Sequence, residues 1–286
     1  NGEIISADSR QIFVGLDIGT GKDLEEYGKI KYHLIDICVP EEKFTMFDWL
    51  KLARQKIDEI IGRGHLPIVV GGTGLYAKAL YEGYAIENLK DQVSKTKYTR
   101  EELDAMTVEQ LNELMEKLKI PIENLDLKNP RRLIRAIEKH QEGIKTTKRK
   151  PNFERLLLAI DLYRDELYKR IDKRVDVRFT KQGMLEEVAG LLNSGVSEEW
   201  LRSLGLEYKI ISEYLTQNFE FPMTNDQPIS NDQIFKSEPF QQMTQELKWK
   251  THGYARRQLT WLSKQPNLIW IKDKDQAHKL VEKFLN

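Results

Sequence analysis

Short apolar runs recur along this chain and predict the strands of one buried sheet. The runs are "EIIS" (3–6), "YHLIDI" (32–37), "PIVVGG" (67–72), "RLLLAID" (155–161) and "LIWI" (268–271). Between the second and third runs, apolar residues recur at helical spacing from Phe47 to Ile61, and two glycines end the pattern. A strand, a helix and a strand of these lengths form a βαβ unit, so we expect a parallel sheet.

The middle of the chain changes character and predicts a small helical insertion. Thr99-x-x-Glu102 and Thr107-x-x-Gln110 are two capping boxes, which mark the starts of helices. Leucines at positions 103, 111, 114 and 118 give these helices one apolar face. The charged faces are interpreted as solvated.

Helical patterns dominate the second half. Asn129 followed by Pro130 predicts a helix start, and that helix runs to about Gly143. Further helices are predicted at 164–192, 197–204, 207–216 and 237–262, with a polar, mobile loop at 217–237. The predicted parts are an α/β core (1–86), the insertion (87–127), a basic helix returning to the sheet (128–163), a helical part (164–265) and a C-terminal strand and helix (266–286).

Composition limits the class of protein. The 286 residues carry 45 basic and 45 acidic side chains, which argues against a general polyanion binder. A single cysteine, Cys38, excludes an internal disulfide framework and a multi-cysteine zinc site, and its apolar surroundings predict burial. No apolar run approaches a membrane span and no signal peptide is visible, so we expect a cytoplasmic protein without a membrane partner.

Charge is distributed unevenly despite the neutral total. Residues 128–150, "KNPRRLIRAIEKHQEGIKTTKRK", hold nine Lys or Arg side chains and two Glu side chains. A local basic field of this kind attracts a polyanion even when the whole molecule is neutral.

The stretch "ADSRQIFVGLDIGTGK" (7–22) looks like a phosphate loop with the wrong spacing. Five residues, not four, separate Gly15 from Gly21, and an aspartate follows Lys22 where a hydroxyl is required. We interpret it as a glycine-rich turn. Asp8, at the carboxyl end of the first strand, lies where α/β sheets bind ligands, although the alternative that it only caps a turn stays open.

A second glycine-rich turn follows the third strand. "PIVVGGTGLYAKAL" places Gly71-Gly72-Thr73-Gly74 between a buried strand and a helix. Glycines there let a ligand approach the backbone, and the helix N-terminus favours anions. Thr73 is expected at the same sheet edge as Asp8. The alternative is a tight turn without a ligand.

Six segments, taken together and in order, resemble the tRNA dimethylallyltransferases, also called tRNA isopentenyltransferases or IPP transferases. They are "NGEIISADSRQIFVGLDIGTGK", "YHLIDI", "PIVVGGTGLYAKAL", "NPRRLIRAIE", "ELYKRIDKRVD" and "YARRQLTWL". The resemblance spans nearly the whole chain, although the insertion diverges and 220–237 matches no clear family motif. It implies an α/β fold with a P-loop NTPase-like parallel sheet core, a small helical insertion and a largely helical C-terminal half. The family's phosphate loop is expected upstream of Asn1.

The resemblance implies transfer of a dimethylallyl group from dimethylallyl diphosphate to N6 of adenosine 37, next to the tRNA anticodon. Asp8 matches the family's general base, and Thr73 matches the residue that positions the adenine amine or its neighbouring phosphate. Gly72 and Arg174 match positions at the diphosphate. Mg²⁺ and the phosphate loop are implied to stabilise the leaving group, while no residue of this chain is predicted to ligate the metal. For Arg174, a surface ion pair with an aspartate of its own helix is the alternative.

Family segments that contact tRNA supply a larger set of candidates. They correspond to Asp8, Ser9, Arg10, Gln11, Thr73, Arg131, Arg132, Leu133, Ile134, Arg135, Arg256 and Arg257. Arginines suit this role because their planes stack on exposed bases and pair with phosphates. For Arg131 and Arg135 the alternative is a solvated helix face, and His252 is interpreted as a polar surface residue.

Two other functions remain open from the sequence. A small-molecule P-loop kinase shares the strand, turn and sheet-edge carboxylate, but it does not predict a long helical half with clustered arginines. A non-catalytic RNA-binding module is the other reading. The anticodon stem-loop of tRNA and dimethylallyl diphosphate are the expected partners, and a monomer is expected.

Overall fold

The computed structural model describes residues 1–88, 97–123, 125–151, 153–219 and 232–286. These residues form two compact units, one of Asn1–Leu80 with Phe153–Asn286 and the other of Tyr81–Asn152. We call them the first and second unit. The predicted insertion and the basic helix after it both fall in the second unit. No described helix is long and apolar enough to cross a membrane.

A three-stranded parallel sheet lies at the centre of the first unit, which confirms the predicted strand direction. β1 (Gly2–Ser6) lies between β2 (Tyr32–His33) and β3 (Leu66–Val70). In the pairing of β1 with β3, Ile4 lies opposite Ile68 and Ser6 opposite Val70. The carboxyl ends of these two strands therefore lie side by side at one edge of the sheet.

Helix α1 (Met46–Gly62) connects β2 to β3 and starts at a Thr45–Asp48 capping box. Its buried face carries Trp49, Leu50, Ala53, Ile57 and Ile60, whereas Ile61 is exposed. The indole Nε1 of Trp49 donates to the carbonyl of Ser6 at 2.8 Å, so this helix also fixes the end of β1.

The second strand is much shorter than the six residues predicted. Leu34 (φ 62°) and Asp36 (φ 54°) both adopt left-handed backbone angles, which a strand cannot continue through. The Asp36 side chain pairs with Lys22, and this contact explains the turn there. Cys38 is buried, as predicted.

The prediction of a single five-stranded sheet is wrong for the described residues. β6 (Leu157–Ile160) and β7 (Leu268–Ile271) pair with each other in parallel, and no described ladder joins this pair to β1–β3. Each strand was correctly located by its apolar run. Pairing depends on neighbours that the run itself does not specify.

The rest of the first unit is helical. Its helices are α6 (Arg164–Thr180), α7 (Met184–Asn193), α8 (Glu198–Leu204), α9 (Leu206–Asn218), α10 (Asp232–Lys236), α11 (Glu238–Leu262) and α12 (Lys274–Leu285). The sequence predicts one helix at 164–192, but the structure has two helices there, because Gly183 adopts φ 79° between α6 and α7. Most of the predicted loop at 217–237 lies outside the described residues, and its end forms α10. The Ser237 hydroxyl caps α11, at the predicted start of that helix.

The helices share one apolar core with the turn that follows β1. Val175 and Phe179 of α6, Leu185 of α7 and Leu247 of α11 are buried there together. Burial of side chains of this size contributes about 1.5–3 kcal/mol each. The core therefore fixes the helical half against the glycine-rich turn.

The described part of the second unit contains three helices, α3 (Arg100–Asp104), α4 (Val108–Lys117) and α5 (Pro130–Gln141), preceded by α2 (Gly74–Tyr81). The capping boxes at Thr99 and Thr107 are confirmed, and Asn129 caps α5. The helices close on their own core, in which Leu103, Leu111, Leu133 and Ile137 are fully buried.

A two-stranded antiparallel ribbon in the second unit was not predicted. β4 (Tyr84–Asn88) pairs with β5 (Ile144–Lys148), which places Tyr84 opposite Lys148. Gly83 adopts φ 70°, and a Cβ there would lie 1.6 Å from the carbonyl oxygen of Arg149, so only glycine fits. The basic character of 144–150 hid the strand pattern.

A buried carboxylate on β1 links the three parallel strands. Glu3 is 1% exposed, and its oxygens lie 2.7 Å from both His33 Nε2 and His65 Nδ1. Arg63 donates two further hydrogen bonds to it, at 2.9 and 3.1 Å. The Arg63 hydrogen bond, followed by that of His33, holds the pKa of the Glu3 carboxyl well below its usual range.

Candidate functional site

The turns after β1 and β3 are joined by backbone hydrogen bonds. The Ala7 N–H donates to the carbonyl of Val70 at 2.7 Å, and the Thr73 N–H donates to the carbonyl of Ala7 at 3.1 Å. The Thr73 hydroxyl accepts from the Ser9 N–H at 3.0 Å and donates to Ser9 Oγ at 3.3 Å. The structure thus brings Asp8, Ser9 and Thr73 together at one sheet edge.

Asp8 presents one engaged and one available carboxylate oxygen. Oδ1 accepts from the Arg10 N–H at 2.8 Å, a short local turn that fixes the side chain. Oδ2 receives no hydrogen bond from any described residue, and it lies 3.5 Å from where a Cβ on Gly72 would be. The carboxylate is both a turn cap and an acceptor whose second oxygen lies next to Gly72.

Glycines at 71 and 72 are required by close contacts. A Cβ on Gly71 would lie 2.3 Å from the carbonyl carbon of Ala7, which is backbone and cannot move away. A Cβ on Gly72 would lie 2.7 Å from Gln258 Nε2. The glycines allow β1 and α11 to approach this turn closely.

Helix α11 borders the site with three side chains that were not predicted from the sequence. Tyr254 Oη and Gln258 Nε2 both donate to the carbonyl of Gly72, at 3.5 and 2.9 Å. The Trp261 ring lies against Gly74, where a Cβ would be 2.8 Å away. The spacing of these three side chains along one helical face was the available signal.

Arg10 contributes a half-buried positive charge beside Asp8. Its guanidinium makes no hydrogen bond or ion pair within the described residues. Burial lowers the pKa of Arg10, and the nearby Asp8, Tyr76 and Tyr254 oppose that shift. A cation held this way, without a partner, suits an anionic ligand.

The glycine-rich turn at 15–22 is filled by the protein's own carboxylate. Glu187 Oε2 accepts from the backbone N–H groups of Asp17 (2.8 Å) and Ile18 (2.6 Å), and Oε1 accepts from that of Gly19 (3.1 Å). Tyr208 Oη adds a fourth hydrogen bond at 2.8 Å. These N–H groups form an anion nest already occupied, so the turn is not a phosphate loop.

Lys22, the residue that made the turn look like a phosphate loop, is turned inward. It is 1% exposed, donates to the carbonyl of Phe13 at 2.8 Å, and pairs with Asp17 at 2.6 Å and with Asp36. Its charge is compensated by two carboxylates, so its role is structural.

Arg174 is exposed at the edge of this turn. Its Nη2 lies 3.7 Å from Asp23 Oδ2, a weak surface pair. The aspartates considered as alternative partners, Asp172 and Asp176, are engaged by α11 instead. Its guanidinium therefore remains accessible.

A ladder of polar pairs, which we call the α6–α11 ladder, joins these two helices. Lys248 Nζ lies 2.6 Å from Asp176, His252 Nε2 lies 2.8 Å from Asp172, and Arg256 donates to Tyr168 Oη at 3.1 Å. His252 also stacks on the Tyr168 ring, with centroids 4.0 Å apart. The interpretation of His252 as a surface residue is wrong, because its side chain faces Asp172 on the neighbouring helix and is only 14% exposed.

The outer face of α11 carries an open, basic depression of about 520 Å³. It is lined by Gly253, Arg256, Arg257, Thr260, Trp261 and Lys264. Arg257 lies over the Tyr254 ring at 5.8 Å. Guanidinium groups beside an aromatic surface form a site suited to phosphate and bases.

Comparison with known proteins gives the family. A family model described as IPP transferase matches residues 11–265. The chain belongs to the IPP transferase family. It is 39% identical over 264 residues to tRNA dimethylallyltransferase 2 of Shewanella sediminis, covering 91% of this chain and 80% of that protein. It is 36% identical to tRNA dimethylallyltransferase of Acetivibrio thermocellus, covering 99% and 88%.

A solved IPP transferase agrees in fold. The crystal structure of tRNA delta(2)-isopentenylpyrophosphate transferase from Staphylococcus epidermidis matches with a TM-score of 0.64 and 29% identity, over 99% of this chain and 91% of that chain. The resemblance noted in the sequence is confirmed, and so is the α/β class with a P-loop NTPase-like core.

The second unit of this IPP transferase carries the basic helix α5, whose two faces differ. Arg131 and Arg132 are exposed and have no ion-pair partner among the described residues. Arg135 pairs with Glu138 at 3.1 Å. Leu133 and Ile134 are buried in the core of the unit, so their side chains do not present a surface to RNA.

Gln11, another predicted RNA contact, has both ends of its amide engaged. Nε2 donates to the carbonyls of Gly21 (3.0 Å) and Thr20 (3.4 Å), and Oε1 accepts from Ser6 Oγ at 2.8 Å. Its side chain therefore braces the turn.

The described residues of this IPP transferase do not form a metal site. They contain no group of three or more His, Cys, Asp or Glu side chains that could hold an ion. Magnesium often relies on substrate phosphates for much of its coordination. The residues present thus do not supply a cage for Mg²⁺.

Proposed function

We propose that this member of the IPP transferase family transfers a dimethylallyl group from dimethylallyl diphosphate to N6 of adenosine 37 in tRNA. The observation that carries the proposal is Asp8 Oδ2, which lacks a donor among the described residues and faces the space beside Gly72. The family, and relatives named tRNA dimethylallyltransferase, support the same reaction.

The reaction needs a proton acceptor at this position. An exocyclic amine is a weak nucleophile: its nitrogen forms a bond to C1 of the dimethylallyl group while the bond from C1 to oxygen breaks. The diphosphate leaves with the electron pair, and Asp8 takes the proton lost by the amine. The Thr73 hydroxyl, held by Ser9, orients the adenine or its neighbouring phosphate.

The leaving diphosphate needs positive charge and hydrogen-bond donors. In this proposal it lies beside Gly72, and the exposed Arg174 approaches it. When bound, Mg²⁺ would supply positive charge that offsets the leaving diphosphate, and the described residues contain no cluster of three or more His, Cys, Asp or Glu side chains to hold it. No step of the proposal depends on the metal.

Binding of the RNA uses the arginines that extend from the protein surface. Arg131 and Arg132 in the second unit, and Arg256 and Arg257 on α11, present charge to phosphates. Arg10 meets the extruded nucleotide next to Asp8. We place the reaction in the cytoplasm, where tRNA is found, and propose that a monomer performs it.

Replacing Asp8 with asparagine tests this function. Asparagine keeps the Oδ1 acceptor for the Arg10 N–H and loses the base, so turn and chemistry are separated. We expect single-turnover transfer of labelled dimethylallyl to tRNA to fall by about 10²–10⁴-fold. Affinity for tRNA should change less than about threefold, because the substitution removes no phosphate contact.

Other outcomes would identify the alternatives. Consumption of ATP with phosphorylation of a small molecule would indicate a kinase, and tRNA binding without transfer by the wild type would indicate a non-catalytic module. Retention of more than about a third of the wild-type rate by Asp8→Asn would show that Asp8 only caps its turn.

A further inference from the structure

Arg178 is buried against the glycine-rich turn. It lies on α6 and is 6% exposed. Its Nη1 donates to the carbonyl of Gly19 at 3.2 Å and lies 3.5 Å from Glu207 Oε1. A Cβ on Gly21 would lie 2.5 Å from Nη2, so the guanidinium packs directly against the turn.

The other side of the same turn is connected to Asp8. Gln11 donates to the carbonyls of residues 20 and 21, and its Oε1 accepts from Ser6 Oγ at 2.8 Å. Ser6 Oγ in turn accepts from the Asp8 N–H at 3.3 Å. Hydrogen bonds therefore run without a break from the turn to the backbone of Asp8.

The charge of Glu207, the partner of Arg178, also interacts with the Asp8 carboxylate. Burial raises the pKa of the Glu207 carboxyl, the Arg178 charge opposes that rise, and the Asp8 charge adds to it. Burial lowers the pKa of Arg178, and Glu207 opposes that shift. Each charge thus opposes the effect of burial on the pKa of its partner.

From this juxtaposition we propose that Arg178, held by Glu207, is a positioning residue that sets the orientation of Asp8 through the turn, Gln11 and Ser6. The proposal rests on the proposed function, because it concerns how Asp8, the base of that reaction, is positioned. Arg178 touches no reacting atom. It fixes the turn at Gly19 and Gly21, and the neighbouring carbonyls of residues 20 and 21 accept from Gln11.

Stability alone does not account for such a pair. Removing two charges from water costs about as much as their attraction returns, and apolar replacements of equal volume are often neutral or stabilising. A guanidinium does provide donors in fixed directions, which an apolar side chain cannot. Fixed geometry matters because a misplacement of about 1 Å in an active site costs about 10²-fold in rate.

The test compares Arg178→Met with Arg178→Lys and with Lys173→Met. Lysine restores a charged donor toward Gly19, and Lys173 is an exposed lysine on the same helix without a described partner. We expect Arg178→Met to lower kcat about 10²-fold. KM for dimethylallyl diphosphate and Kd for tRNA should stay within about threefold, since no proposed contact to either is removed.

Lysine at 178 should recover at least about tenfold of that loss, and Lys173→Met should match the wild type. If Arg178→Met does not fold, the double variant Arg178→Met with Glu207→Met removes both charges together and is assayed instead. It is expected to keep the wild-type melting temperature and show the same loss of kcat.

Four results would overturn the inference. If the wild type is active and Arg178→Met is equally active, this inference is overturned and the proposed function stands. A double variant that folds and retains wild-type kcat has the same consequence. A rise in KM or Kd equal to the loss of kcat/KM would place Arg178 in ligand binding. A wild type that transfers nothing to tRNA overturns the proposed function, and this inference with it.

Discussion

Replacing Glu187 with glutamine tests whether the glycine-rich turn is held by an internal carboxylate. Glu187 accepts four hydrogen bonds, from the N–H groups of residues 17–19 and from Tyr208 Oη. Glutamine keeps the length of the side chain and one acceptor oxygen. It loses the charge and turns an NH₂ group toward donors, so at least one of the four bonds is lost.

The expected loss of stability follows from these contacts. Hydrogen bonds to a charged group contribute about 1.5–3 kcal/mol each, and neutral ones roughly half. If one bond is lost outright (about 1.5–3 kcal/mol) and the other three become neutral (about 0.8–1.5 kcal/mol each), the sum is roughly 4–7 kcal/mol, which partial exposure of Glu187 reduces to about 2–3 kcal/mol. For a domain of this size that corresponds to a melting temperature lower by roughly 4–10 °C.

Thermal unfolding followed by circular dichroism at neutral pH measures this difference. Glu246→Gln is the matched control, because Glu246 is exposed in the middle of α11 and makes no described contact. Its effect should stay within about 0.5 kcal/mol. Equal melting temperatures for the two variants would refute the reasoning and return the turn to the candidates for phosphate binding.

Three further predictions follow from the same structure. Replacing both Arg131 and Arg132 with alanine should weaken tRNA binding and reduce its salt dependence by about one unit of slope for each lost phosphate contact, measured at several salt concentrations. Because its folded pKa is depressed, Glu3 stabilises the fold above the ordinary glutamate pKa of about 4.3, and stability is lost as pH falls below it; Glu3→Gln should flatten this acid limb in urea titrations. Gly71→Ala should destabilise the first unit by about 1–3 kcal/mol, because its Cβ meets the backbone of Ala7.

Each of these has a built-in comparison. For the arginines, Arg135→Ala should have a smaller effect, since Arg135 is already paired with Glu138; an unchanged slope in the double variant would indicate a solvated face. An acid limb equally steep in Glu3→Gln would contradict the linkage. Gly62→Ala introduces a Cβ into open space and should be harmless, so an equal loss there would show that crowding is not the cause.

Local features were predictable from the sequence because they depend on near neighbours. The capping boxes at Thr99 and Thr107, the Asn129 cap and the apolar runs of β1, β3, β6 and β7 all agree with the structure. Each is set within a few residues of chain. The same holds for the meeting of Asp8 and Thr73, since parallel strands end at one edge.

The failures arise from contacts between distant parts of the chain. The strand at 32–37 stops early because Asp36 turns to Lys22, and the β4–β5 ribbon joins segments about 60 residues apart. At the site, Glu187, Arg178 and Gln258 were missed because their partners are backbone atoms of distant turns, which leave no motif.

The β4–β5 ribbon brings the two ends of the second unit together, so that the unit can be exchanged as a whole. The chain enters this unit beside the point where it leaves, because Tyr84 pairs with Lys148 and the Arg149 N–H donates to the carbonyl of Gly83 at 2.8 Å. A segment whose ends are adjacent can be lengthened, shortened or exchanged at little cost in loop closure. The second unit of a relative can therefore be grafted at this ribbon without rebuilding the strand edge that carries Asp8.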